Sequence, residues 1–214
     1  MKSIDLNQLT GPENPLLRFP RLYEAALDEF SQKSLGEASL NDILRQSGMS
    51  KGSLYHHFGD KFGLYLALMD TISQKKIEFF LPRMLGLTPG ADFFETIKLI
   101  SREMMVFMFQ DRRIYNLSTR LLGEEPDILK RLMACFPDEK EQMLQALAEG
   151  AVRSGQVDSR FTPAFLRNIL DILLSNLHQL PGVDGSEEAY AQLELALDMM
   201  QHGLCGKREE GRKS

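Results

Sequence analysis

The stretch SLNDILRQSGMSKGSLYHHFGDK, from Ser39 to Lys61, carries the strongest structural signal in this sequence. It contains two short segments of helical pattern, separated by a turn at Ser47, Gly48 and Met49. Two short helices joined by a tight turn form a helix-turn-helix, a motif that can place its second helix in the DNA major groove. The stretch therefore predicts a DNA-reading motif.

The second segment has apolar and polar faces that oppose each other. At about 100° per residue, Leu54 and Phe58 share one face, which we expect to pack on Ile43 and Phe30. The exposed residues near the N-terminal end are expected to meet DNA, and they are Lys51, Gly52, Ser53, Tyr55 and His56. A glycine inside a helix costs about 1 kcal/mol, but its missing side chain lets the backbone approach DNA closely.

Outside this stretch, apolar residues recur at helical spacing along almost all of the 214 residues. Alternating runs of β-branched residues, the mark of strands, are missing. The predicted fold class is therefore all-α, with about nine helices. Their expected ranges, bounded mainly by proline and glycine, are 20–33, 40–47, 51–58, 61–81, 91–109, 126–135, 138–154, 162–180 and 187–204.

These helices suggest a division into four parts. Residues 1–17 contain Gly11, Pro12 and Pro15 and no sustained pattern, so we expect a flexible N-terminal arm. Residues 18–66 are predicted to form a three-helix DNA-binding domain. A helical domain that binds an effector and dimerises is predicted for 67–206, and a polar tail for 207–214.

Composition limits the function without deciding it. The formal net charge is -5, and residues 1–61 hold seven basic and eight acidic side chains, so the case for DNA depends on position and not on charge. Cys135 and Cys205 lie far apart, which is typical of a reducing compartment and predicts a cytoplasmic protein. No apolar stretch is long enough to predict a membrane span or membrane partner.

From about Arg18 to Leu68 the chain resembles, without gaps, the DNA-binding domain of the TetR family of bacterial regulators. The residues that carry this resemblance are Ala25, Ala26, Phe30, Ser39, Ile43, Gly48, Ser50, Lys51, Gly52, Leu54, Tyr55, Phe58 and Lys61. The resemblance implies that the helix from Lys51 to His57 reads bases, while Ser39, Tyr55 and Lys61 hold phosphates. The predicted DNA-binding set is Ser39, Lys51, Gly52, Ser53, Tyr55, His56 and Lys61.

The sequence departs from the family pattern at four positions. Ser34 stands where glycine is usual, and Ala38 stands where threonine is common. Phe62 and Gly63 replace two polar residues that usually open the fourth helix. Because glycine weakens a first helical turn, the joint between the reading motif and the rest of the chain is expected to be soft.

Apolar patterns in the rest of the chain predict two further sites, an effector pocket and a dimer interface. The run from Met104 to Phe109 is apolar on all sides, which indicates either plain core or the wall of an adaptable ligand cavity. The predicted effector pocket consists of Phe94, Met104, Phe107, Met108, Tyr115, Met133, Phe136 and Met143. The last two helices are apolar on more than one face, which predicts a homodimer through Phe165, Ile169, Leu173, Leu177, Leu193, Leu197 and Met200.

Other chemistries find little support. His56 and His57 diverge by about 100° on a helix, so no metal site is predicted, and no cofactor is expected. We find no phosphate-binding glycine loop and no ordered nucleophile and base, which leaves an all-helical enzyme as the weaker alternative. The leading hypothesis is a repressor released from a palindromic operator by a small apolar or amphipathic effector. A constitutive regulator and an activator remain open.

Overall fold

A computed structural model of the chain describes residues 6–84, 92–136, 139–175 and 187–204. All regular structure within these ranges is helical, as the sequence predicts. The described chain holds ten α-helices where about nine were expected. They are α1 (Pro20–Gln32), α2 (Leu40–Ser47), α3 (Lys51–Phe58), α4 (Lys61–Met84), α5 (Phe93–Gln110), α6 (Arg112–Leu121), α7 (Pro126–Met133), α8 (Glu139–Arg153), α9 (Pro163–Ser175) and α10 (Glu187–Leu204).

The additional helix is α6, which the sequence analysis missed. Asp111 caps it by accepting a hydrogen bond from the Arg113 N–H at 3.0 Å. Ile114 and Leu117 are buried, so the short helix does have an apolar stripe. The helix was not predicted because its sequence, RRIYNLSTRL, is mainly polar and the apolar stripe is short.

Helix α4 is longer than predicted. It was expected to end near Leu81 because Pro82 follows, but it continues to Met84 with Pro82 inside its last turn. The guanidinium of Arg83 donates to the Phe79 carbonyl at 2.6 Å in this turn. The predicted domain boundary after residue 66 falls within this continuous helix.

Residues 6–18 are packed, contrary to the expectation of a flexible arm. They form three short 3-10 helices, at Leu6–Leu9, Gly11–Glu13 and Pro15–Arg18. Leu9 and Leu16 are each only 1% exposed and belong to the same apolar core as α1 and α4. Burial of two leucines supplies the free energy that a mobile polar arm would lack.

The chain divides into two compact units. The first contains the 3-10 helices, α1 to α4, the end of α5 from Phe107, α6 and α7. Its core is built around large side chains that are almost fully buried, among them Phe30, Phe58 and Tyr65. The second contains α5 up to Val106 and α8 to α10. No helix within the described residues is long and apolar enough to cross a membrane.

Candidate nucleic-acid interface

The helix-turn-helix is assembled by local capping. The Ser39 hydroxyl accepts from the Asp42 N–H at 3.2 Å and begins α2. Gly48 ends α2 with φ of 71°, a left-handed conformation that favours glycine. The Ser50 hydroxyl then accepts from the Ser53 N–H at 3.1 Å and begins α3. These caps form within a few residues, which is why the sequence predicted both helices.

The apolar face of α3 is anchored in the first unit. Leu54 is 0% exposed and Phe58 is 1% exposed. Both belong to one buried cluster with Ile43 and Phe30, as the helical spacing predicted. Since the anchoring residues point inward, the opposite face of α3 is left to solvent.

That solvent face carries most of the predicted DNA-binding residues. Lys51, Gly52 and His56 are exposed, and Ser53 and Tyr55 are half-buried. The Lys51 ammonium lies 5.9 Å from the centre of the Tyr55 ring. Apart from the neighbouring residues and the backbone of α3 itself, no heavy atom lies within 4 Å of a Cβ atom built at Gly52, so the space beside this residue is open.

Ser39 and Lys61, two of the residues predicted to contact phosphates, also form hydrogen bonds that hold the connection between α1 and α2 in place. The backbone N–H of Ser39 donates to the Glu29 carboxylate at 2.6 Å. The Lys61 ammonium donates to the carbonyls of Gly36 at 2.9 Å and Ala38 at 2.8 Å. Lys61 therefore uses two of its three N–H donors inside the protein, and at most one is left for a phosphate.

The α3–α4 joint is tight where the sequence suggested a soft hinge. Gly63 is buried, and its N–H donates to the Asp60 carboxylate at 2.8 Å. A Cβ atom at Gly63 would lie 1.9 Å from the Phe58 carbonyl oxygen. The neighbouring Phe62 is covered by the Arg131 guanidinium, 3.7 Å from its ring centre. Glycine at 63 is thus required by close packing.

His57, on the same helix as the exposed His56, has an internal role. Its ring centre lies 5.1 Å from that of Phe19. Burial lowers the pKa of His57, and the nearby charges of His56 and Arg18 lower it further. His57 is therefore a packing residue between α3 and Phe19, the residue before α1.

A groove beside α3 was not predicted. It is lined by residues of the 3-10 segment together with both histidines: Gln8, Glu13, Pro15, Arg18, His56 and His57. Gln8, Glu13 and Pro15 belong to the segment that was predicted to be a flexible arm, and Arg18 to the predicted DNA-binding domain, so this groove was not expected. The only available signal was the apolar pair Leu9 and Leu16, which implies packing.

Polar contacts tie α6 to α1 within the first unit. The Arg113 guanidinium donates to the carboxylates of Asp28 at 2.6 Å and Glu24 at 2.8 Å. The Arg120 Nε donates to the Ser31 carbonyl at 2.9 Å. Hydrogen bonding to Arg113 lowers the pKa of Asp111, the residue that caps α6. The reading motif is thereby linked to a helix that the sequence analysis had not found.

The predicted effector-pocket residues are divided between the two compact units. Phe94, Met104 and Met143 belong to the second unit, whereas the other five belong to the first. Phe94 and Phe107 are buried, but Met133 and Met143 are 52% and 38% exposed in the single chain. Met133 lies on α7 and Met143 on α8, and both side chains are exposed to solvent in the single chain.

The predicted dimer residues are only partly on the surface. Leu193 and Leu197 are buried in their own unit, at 2% and 1% exposure, which corrects their assignment to an interface. Ile169, Leu173 and Met200 are half-buried, Phe165 is 45% exposed, and Leu177 lies outside the described residues. Besides Phe165, the large apolar residues exposed on the described parts of α9 and α10 are Ile172, Leu195 and Met199, which were not predicted.

Comparison with known sequences places the reading motif in a family. Residues 22–68 match the family described as "Bacterial regulatory proteins, tetR family". The HTH-type transcriptional regulator BetI of Klebsiella pneumoniae is 32% identical over 75 residues, which cover 35% of this chain and 38% of BetI. The HTH-type transcriptional repressor KstR2 of Mycolicibacterium smegmatis is 26% identical over 121 residues, covering 50% of this chain and 56% of KstR2. The chain thus spans about half the length, or less, of these curated relatives.

Solved structures share the fold over most of the chain. A TetR family transcriptional regulator from Chloroflexus aurantiacus has a TM-score of 0.68 at 19% identity, covering 90% of this chain and 95% of its own. The regulator FadR of Bacillus subtilis, solved in complex with stearoyl-CoA, has a TM-score of 0.62 at 14% identity, covering 87% of this chain and 99% of its own. At these identities the likeness concerns the fold.

Proposed function

We propose that this chain, which belongs to the tetR family of bacterial regulatory proteins, is a homodimeric repressor that binds a palindromic operator and is released by a small effector. It would act by binding DNA and not by catalysis, in the cytoplasm where bacterial operators lie. DNA binding, dimerisation and the response to an effector would each depend on different residues.

One observation is the main support for DNA binding by α3. The anchoring side chains Leu54 and Phe58 are buried, while Lys51, Gly52 and His56 on the same helix are exposed. A rigidly anchored helix with donors and an open glycine on its outer face can enter a major groove, where it reads base edges. Ser53 and His56 are proposed to contact bases, and Ser39, Tyr55 and the remaining donor of Lys61 to contact phosphates.

Dimerisation is supported by the exposed apolar residues of α9 and α10. Phe165, Leu195 and Met199 are 45%, 64% and 72% exposed. Large apolar side chains this exposed on two helices of one unit, Phe165 on α9 and Leu195 and Met199 on α10, favour burial against a second copy. A dimer would present two α3 helices to successive turns of the major groove, about 34 Å apart.

An apolar or amphipathic effector is supported by the relatives and by composition. FadR of Bacillus subtilis was solved with stearoyl-CoA, an amphipathic acyl compound. In this chain Phe107 belongs to the core of the first unit, and Met108 and Phe136 pack against that core. Tyr115 lies on α6 of the same unit. Methionine and aromatic side chains adapt to varied apolar ligands. An effector would release DNA by favouring a state in which the two α3 helices are wrongly spaced.

The reading function is tested by selecting duplexes from a random pool with the wild-type protein. The recovered sequences should be palindromic, and their affinity should fall steeply with salt. Lys51→Ala with Tyr55→Phe should abolish most of this affinity. Arg153→Ala, which removes an equal charge from an exposed site in the second unit, should not. Equal binding by all three proteins would overturn the DNA-reading proposal.

The effector response is tested separately with long-chain acyl compounds, sterols and organic cations. Each compound is first screened by thermal shift, and each hit is then titrated against the protein bound to its selected duplex. A typical allosteric coupling of about 1 to 3 kcal/mol would lower duplex affinity several-fold to about a hundredfold. Hits that stabilise the protein but leave duplex affinity unchanged would indicate a regulator without a ligand switch.

A further inference from the structure

We propose that Arg18 contacts the DNA backbone, held beside the reading helix by the packed N-terminal segment of residues 6–18. This inference rests on the proposed DNA-reading function. It adds a residue and a segment that lie outside the helix-turn-helix itself.

Arg18 lies on the same surface as the exposed face of α3. It lines one groove together with His56 and His57, at the end of the third 3-10 helix. The next residue, Phe19, packs against the His57 ring at 5.1 Å, which fixes the chain direction at this point. The charge of Arg18 is close enough to lower the pKa of His57, which burial also lowers.

The Arg18 guanidinium is available for an anion. It is exposed, and no carboxylate of the described residues lies within ion-pair distance of it. Arg45 and Arg113 in the same unit, by contrast, pair with Asp42 and with three carboxylates. Glu13 is the acidic residue that lines the groove. An exposed arginine beside a major-groove helix is suited to bidentate hydrogen bonding with a phosphate.

A buried carboxylate on α4 fixes the segment that carries Arg18. Asp70 is 7% exposed and accepts from the Gly11 N–H, at 3.1 Å to each oxygen, and from the Asn14 amide at 2.8 Å. The same Asn14 amide also donates to the Ala67 carbonyl at 2.8 Å. Gln74 donates to Asp70 and to the Gly11 carbonyl. A fixed arginine loses less conformational entropy on binding than one on a mobile arm.

A phosphate contact and a base contact affect binding differently. Each phosphate neutralised on duplex DNA contributes about 0.9 to the slope of log affinity against log salt. Two Arg18 residues in a dimer should therefore contribute about 1.8 to that slope. Because a phosphate carries no sequence information, loss of Arg18 should weaken all duplexes by the same factor.

The test compares Arg18→Ala, Arg18→Lys and Arg153→Ala on a duplex selected by the wild-type protein and on one half-site variant. We expect Arg18→Ala to lower the salt slope by about 1.8 without changing the ratio of the two affinities. Arg18→Lys should retain most of the slope, and Arg153→Ala should retain all of it. A slope for Arg18→Ala equal to that of Arg153→Ala would overturn the inference.

The contribution of the N-terminal segment is tested by combining Arg18→Ala with Asp70→Asn. If the segment positions Arg18, Arg18→Ala should alter the slope much less in the Asp70→Asn protein. Asn14→Ala, which removes the amide from the other side of the network, replaces Asp70→Asn should that variant not fold. Failure of the wild-type protein to select any duplex would instead defeat the proposed function, so the two failures are distinguishable.

Discussion

The ammonium nitrogen of Lys61 lies 2.8 Å from the carbonyl oxygen of Ala38. A second hydrogen bond to the Gly36 carbonyl makes Lys61 a clamp between the start of α4 and the α1–α2 connection. The clamp lies next to Ser39, which begins α2. A residue that the family resemblance assigns to DNA therefore also positions the motif.

Lys61→Met should lower the stability of the free protein. Hydrogen bonds to a charged group contribute about 1.5 to 3 kcal/mol when buried, and partial exposure of Lys61 should reduce this to about 1 kcal/mol. Urea unfolding of the DNA-free protein measures the change. Lys130→Met, at an exposed position of α7, is the matched control. Equal midpoints for both variants would mean that Lys61 has no structural role.

Gly63→Ala and Gly52→Ala should have opposite effects on stability. A methyl group at 63 would meet the Phe58 carbonyl, so we expect a loss of about 1 to 3 kcal/mol from forced displacement. A methyl group at 52 meets open space and improves helix propensity by up to about 1 kcal/mol. Thermal unfolding tests both. Duplex affinity should nevertheless fall for Gly52→Ala if DNA approaches the backbone there, and unchanged affinity would refute that close approach.

Leu195→Glu and Leu197→Ala should separate the interface from the core. Leu195 is 64% exposed, so a charge there should give a folded monomer, because a dimer would have to bury it unpaired. Leu197 is 1% exposed, and its truncation should cost about 2 to 5 kcal/mol of stability. Light scattering and urea unfolding measure the two outcomes. A stable dimer of Leu195→Glu would exclude this face of α10 as the interface.

Arg113→Met should lower stability at neutral pH more than at acid pH. Arg113 lowers the pKa of Asp111 by hydrogen bonding, and a carboxyl with a lowered pKa stabilises the fold only while it is ionised. The stabilisation is complete above the ordinary carboxyl range, and it is lost as pH falls through the lowered pKa. For this partly exposed cluster we expect about 1 kcal/mol at pH 7 after solvent screening.

Urea unfolding between pH 7 and pH 3 measures how the difference in free energy of unfolding between the wild type and Arg113→Met changes with pH. The difference should narrow as the pH falls below about 5. Arg45→Met removes an exposed pair with Asp42 and serves as the control, because exposed pairs contribute little. A difference that stays constant with pH would show that Arg113 acts through packing alone.

The sequence by itself determined the features that form within a few residues of one another. The caps at Ser39 and Ser50, the glycine at 48 and the spacing of Leu54 and Phe58 specify the helix-turn-helix through local hydrogen bonds and helical periodicity. The same signals gave the all-α class and most helix boundaries. The exposed face of α3 could also be predicted from the sequence, because burial of the face that carries Leu54 and Phe58 leaves the opposite face in solvent.

Only the tertiary structure decided which of two equally apolar faces is buried and which polar groups meet. Periodicity could not distinguish Leu197 from Leu195, since the choice depends on which neighbouring helix covers each one. The bond between Asn14 and Asp70 joins residues 56 positions apart, and that between Lys61 and Ala38 joins residues 23 apart. Such contacts depend on how the whole chain packs, so no local pattern of residues encodes them.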